Sequence, residues 1–175
     1  MIESIAYGDD DFFRGAHSLV TLSKLLTRVD DTLIPAIQAH IEDIWIRHQR
    51  YPDPWKVLVL ATLGDNRVYD EIMAMIDEDT YRMEALRVTG NMKELRAIPA
   101  LLQALESDKV NEVTAAAHSL ATLGHPAAVP ALDALLTSGK WTHVLNVTET
   151  IEAALKKIGT PDAIEALVSW QEQQS

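Results

Sequence analysis

The chain has 175 residues, 47% of them hydrophobic, and a formal net charge of −11 from 26 acidic and 15 basic residues, a size normal for one domain burying roughly 70% of the surface its unfolded chain exposes. The absence of cysteine excludes disulfides, thiolate metal sites and thiol nucleophiles. The acidic balance argues against nucleic acid and anionic membrane surfaces as partners, because phosphate contacts need a basic face.

In chain order, the opening MIESIAYGDDDFF has no basic stretch followed by an apolar core, so no secretory signal is expected. No apolar run approaches the ~20 residues that span a bilayer, and the expected location is cytoplasmic. Residues 11–30 are expected to form a capping helix carrying Phe12, Phe13, Leu19, Leu22, Leu25 and Leu26. Asp30-Asp31-Thr32 then opens the first helix (helix A) of a two-helix unit at 31–64. Tyr51-Pro52-Asp53-Pro54 is its turn, and Trp55 to Leu63 its second helix (helix B), closed by Gly64. A second unit at 65–90 is the shortest, with Tyr81 to Thr89 as helix B and Gly90 as its stop. In the third, at 94–124, Ile98, Leu101, Leu102 and Leu105 recur at i, i+3, i+4 and i+7, and Val110, Val113, Ala117, Leu120 and Leu123 mark helix B; both are amphipathic helices. A fourth unit at 126–159 ends on Gly159. A fifth, at 161–172, runs into the polar tail Gln171 to Ser175, as a terminal cap should.

Two series of marks recur through these units. Helix A opens at Ile34-Pro35-Ala36-Ile37, Ile98-Pro99-Ala100-Leu101, Val129-Pro130-Ala131-Leu132 and Ile164-Glu165-Ala166-Leu167, with a weaker copy at Val68. Helix B closes at Leu63-Gly64, Gly90, Leu123-Gly124 and Gly159. Pro is tolerated in a first helical turn because its missing N–H has no intrahelical acceptor there, and Gly adopts the left-handed conformation that ends a helix. Asp53, Asp79 and Asp108 precede helix B as caps or turn residues. Two interleaved series with a period of about 30 to 35 residues predict a solenoid of stacked helical pairs. Strand-type alternation is absent.

The third unit, with Asp108, Val113, Ala115, Ala116, Leu120, Leu123 and Gly124, resembles HEAT-like repeats of the short, Ala- and Gly-rich type found in phycobilisome bilin lyases. The second keeps Asp79 and Arg82, and the fourth Ala153-Ala154 and Gly159. Thr114 stands where the repeat usually carries Arg. The resemblance implies an all-α, right-handed α-α superhelix of about five helical hairpins forming a single domain, with helix B on the concave face.

No His-Glu dipeptide occurs, and the six histidines are dispersed, so no metal and no cofactor are expected. No nucleophile elbow or Gly-rich phosphate loop is present. Counting back nine residues from each closing glycine gives Trp55, Tyr81, Ala115 and Thr150, which puts two large rings on one ridge. Trp141 opens the last helix B, and His118 lies a turn beyond Ala115. Trp55, Tyr81, Arg82, His118 and Trp141 are therefore the candidate partner-binding residues of the concave face, with inter-repeat packing as the alternative use of the rings. Asp70, Glu71, Asp77, Glu78 and Asp79 form an acidic patch that a basic partner would complement, or a solvated turn. The functional expectation is a non-enzymatic protein-binding module. Its alternatives are a bilin lyase or chromophore-handling subunit, by resemblance, with Arg82 and Lys56 as cations for the propionates, and an acidic inhibitor or immunity protein covering a basic target.

Overall fold

The computed structural model describes residues 54–173 apart from Thr142, together with Pro35 and Ala39, which are helical. The expected capping helix at 11–30, Asp53 and nearly all of the first helix A lie outside the described residues. Eight α-helices follow: α1 (Pro54–Thr62), α2 (Tyr69–Asp77), α3 (Arg82–Thr89), α4 (Ile98–Leu105), α5 (Val110–Leu123), α6 (Val129–Thr137), α7 (Leu145–Ile158) and α8 (Pro161–Gln173). No strand occurs among the described residues.

The helices form two layers. Within each hairpin α2 packs on α3, α4 on α5, and α6 on α7, while α8 returns onto both α6 and α7. Across hairpins α1, α3, α5 and α7 pack in succession, and α4, α6 and α8 line up behind them. Among the described residues each unit packs mainly on its neighbours, which is the arrangement of an α-solenoid. The core is one continuous seam in which Leu86, Leu101, Leu120, Leu132, Ile151 and Leu155 are fully buried. Each such side chain contributes about 1.5–3 kcal/mol relative to its exposed state. Helix α5, pressed by α3, α4 and α7, is lined with Ala115, Ala116, Ala117 and Ala121, whose small size permits the close approach.

The punctuation differs from the expected pattern in two respects. Gly64, Gly124 and Gly159 close their helices in the left-handed conformation, at φ +79°, +65° and +67°. Gly90 does not: its φ is −60° and it leads into a 3-10 turn, Gly90–Met92, so that the left-handed residue is Lys93 at φ +53°. The marks fall at 64, 93, 124 and 159, and the second helix B is extended by one turn that buries Met92. Gly90 is required for another reason. A β carbon there would lie 2.8 Å from the Ser119 Cα and 2.9 Å from its carbonyl oxygen, closer than atoms pack.

The capping residues also lie elsewhere. Neither α3 nor α5 has a side-chain N-cap. Instead, the residue after each left-handed position caps the next unit. Asp65, Glu94, His125 and Thr160 accept from the backbone N–H of Arg67, Arg96, Ala127 and Ala163, satisfying donors that a helical start leaves unpaired. Asp79 and Asp108 serve as rungs between neighbouring units: Lys109 Nζ lies 3.4 Å from Asp79 Oδ1, and Lys140 Nζ lies 2.7 Å from Asp108 Oδ1. In the last turn of α8, Gln171 to Gln173 are exposed. Ile164 and Val168, one turn apart on α8, are also exposed, so the outer side of this helix is not wholly polar.

Candidate functional site

The second helices α1, α3, α5 and α7 share one layer, and its outward side is polar. On α5 the outward positions are the exposed Asn111 and His118 and the half-buried Thr114 and Thr122, spaced 3, 4 and 4 along the chain, the stripe of a single helix face. On α7 the matching stripe is Asn146, Glu149, Ala153, Lys156 and Lys157, all exposed, and along α3 and the 3-10 turn after it the half-buried Glu84, Arg87 and Asn91 continue it.

At the entry end of these helices Glu112 is buried, yet it is ionised by its partners. It accepts from Ser107 Oγ at 2.9 Å and Arg82 Nε at 3.2 Å, and Lys109 Nζ lies 2.9 Å away. Burial works to raise its pKa, but the hydrogen bonds from Lys109 and Ser107 and the charges of Lys109 and Arg82 outweigh it, and the pKa is lowered. Arg82 also donates to the Ile76 carbonyl at 2.8 Å, so its guanidinium ties the end of α2 to α5. A cleft of about 360 Å³ opens here between Asp79, Met83, Lys109, Val110, Asn111 and Glu112.

At the exit end the same face carries cations. Ser119 Oγ donates to the carbonyls of Leu86 and Arg87, fastening α5 to the last turn of α3. Thr122 Oγ1 donates to the His118 carbonyl and accepts from Lys157 Nζ at 3.2 Å. Arg87, His118 and Lys157 thus sit at the same end of three successive helices, near enough for both charges to act on the imidazole. Partial burial lowers the pKa of His118, and the charges of Lys157 and Arg87 add to that effect.

The residues singled out from sequence are dispersed over these features. Trp55 lies in α1. Tyr81, in the N-cap position of α3, is half-buried with its ring packed against the core. Arg82 is shared between Glu112 and Ile76. Trp141 does not open α7, which begins four residues later; it is buried in the preceding loop, with the Lys140 ammonium 5.1 Å from its ring centroid. Its indole N–H has no hydrogen-bond partner among the described residues. Only His118 is both exposed and on the outward stripe. Because the second left-handed mark is Lys93 and not Gly90, counting back nine residues reaches Glu84, and Tyr81 leaves the ridge. The acidic group divides in two. Asp70 and Glu71 occupy the first turn of α2, where the helix dipole favours them. Asp77, Glu78 and Asp79 lie at its other end, about 10 Å along the axis, exposed and partly compensated by Lys109.

Sequence reasoning missed Glu112, Ser119, Arg87 and Lys157. A signal existed for the first pair: Glu112 follows Arg82 by 30 residues, one repeat period, as an inter-unit contact requires. Among the described residues no three His, Asp or Glu side chains are grouped as a metal site needs, and no helix is long and apolar enough to cross a membrane.

Residues 70–151, from the start of α2 to the middle of α7, match the family model for HEAT repeats. The chain is also similar to phycocyanobilin lyase subunit alpha of Picosynechococcus sp., with 29% identity over 117 residues, covering 59% of this chain and 44% of that protein. The chain thus spans less than half the length of that relative.

Proposed function

We propose that this HEAT-like repeat protein is a non-enzymatic scaffold that docks another protein along the outward side of its second helices, the concave side of the stack. The observation that supports this reading is the contrast within those helices. Their remaining surfaces are packed against neighbouring helices, while a polar stripe, exposed on α7 and at Asn111 and His118 of α5 and half-buried on α3, faces outward. A stack held by short-range packing offers such a surface already ordered, so little conformational freedom is lost on binding. The lyase alternative rests on repeat resemblance and on similarity to part of one lyase subunit. Of the two cations it invoked, Lys56 and Arg82, the second is occupied by Glu112 and the Ile76 carbonyl.

Photo-crosslinking tests the scaffold. A crosslinking amino acid at Thr114, on the open stripe, should capture one discrete partner in cell extract. The same group at Gln103, on the exposed side of α4, should not. Equal capture from both positions, or none from Thr114, removes the assignment of this face.

A further inference from the structure

We infer that the row Arg87, His118 and Lys157 is a docking site for a carboxylate-rich segment of the partner protein, so that this strongly acidic chain recognises an acidic sequence. The inference rests on the scaffold reading and names the chemistry its face selects. Three observations carry it. The three residues come from consecutive second helices whose ends are fastened by hydrogen bonds, Ser119 Oγ to the Arg87 backbone carbonyl and Lys157 Nζ to Thr122 on the His118 turn. Among the described residues, neither Arg87 nor Lys157 makes an ion pair, and the same holds for Lys56, Lys93 and Lys156, whereas Lys109, Lys140, Arg67, Arg82 and Arg96 all do. The site lies on the open face and not on the turn edge, where the acidic groups Asp77, Glu78, Asp79 and Asp108 gather.

A cation in the last turn of a helix compensates its dipole, and Arg87 and Lys157 both sit in last turns. That explains each one separately. It does not explain why successive helices bring them to either side of a histidine. The carboxylates on the same stripes, Glu84 and Glu149, lie toward the entry end. A line of carboxylates from a partner complements the row. Arg offers a bidentate fork and Lys a point charge for such groups. The field of the chain as a whole, at −11, opposes a long acidic partner at a distance. This favours a short acidic segment held at close range.

The test uses fluorescein-labelled six-glutamate and six-lysine peptides and the full chain, with fluorescence anisotropy at 20 and 300 mM NaCl. The six-glutamate peptide should bind at low salt and weaken at high salt. The Arg87→Gln/Lys157→Gln double variant should lose affinity about tenfold, since each 1.4 kcal/mol is a factor of ten. The charge-matched Lys56→Gln/Lys140→Gln control should stay within about twofold of the parent. Amide shifts of the unmodified protein supply a readout that needs no variant: the six-glutamate peptide should perturb the turns around Arg87, His118 and Lys157 first. Absence of binding, equal loss in both double variants, or preference of this face for the six-lysine peptide overturns the acidic-segment inference. If crosslinking from Thr114 persists in that case, the scaffold reading stands. Loss of that capture removes both.

Discussion

Gly90 lies against Ser119 so closely that a β carbon on the first would stand 2.8 Å from the Cα of the second. This approach brings α3 and α5 within reach of the Ser119 hydroxyl, which serves the unpaired carbonyls of Leu86 and Arg87 at the end of α3. Gly90→Ala must therefore separate two helices that share a core. It should cost about 1–3 kcal/mol, as other overpacked sites do, and lower the melting temperature by several degrees. Gly124→Ala meets nothing within 4 Å but strains a left-handed residue, for roughly 1–2 kcal/mol. Ser119→Ala should add little to Gly90→Ala if both act on the same contact. Additive losses in thermal unfolding count against that coupling.

The Glu112 network ties pH to stability. Its folded pKa lies below the ordinary 4.5, so the unfolded chain binds the proton more readily. The stabilisation is fully present above about 4.5 and is lost as pH falls through the depressed folded value. Glu112→Gln should destabilise the protein at pH 7 by about 1–3 kcal/mol, the loss of charge-assisted hydrogen bonds at a buried site. The difference from the parent should shrink toward pH 3. Urea unfolding at pH 7, 5 and 3 checks this; a gap independent of pH would assign the effect to shape and not to charge.

His118 should titrate below free imidazole, measured from its ring proton shifts. Lys157→Gln or Arg87→Gln should raise its pKa, because each removes a positive neighbour. Since the folded pKa is the lower one, the contribution of His118 to stability is present above about 6.5 and is lost on acidification through the folded value. An unchanged titration in both variants would show that the three groups do not share a field.

The rungs Asp79–Lys109 and Asp108–Lys140 join exposed partners. A double-mutant cycle on Asp108→Ala and Lys140→Ala should give a coupling of no more than about 1 kcal/mol, falling with added salt. A larger, salt-independent value would mean that the turn edge and not the helix seam holds the units in register.

Much of the architecture was legible because it is periodic. Apolar spacing in α4 and α5, Pro in the first turn of α4 and α6, and Gly after α5 and α7 are local signals, each with a local cause. The second unit misled for the same reason. Gly90 has the residue type of a helix stop, but its identity is set by Ser119, 29 positions away, which no local rule can see. Trp141 resembled the start of a helix and proved to be buried ahead of one. Arg82 resembled a free cation until the next unit supplied Glu112.

The amino-acid order by itself determined that helices form, where most of them begin and end, and that they pair at a fixed period, since propensity, capping and amphipathic spacing act within a turn or two of chain. Which charges are consumed within the stack and which remain open was decided only when neighbouring units packed. Pairing depends on distances between residues some 30 positions apart, and those distances exist only in the folded solenoid.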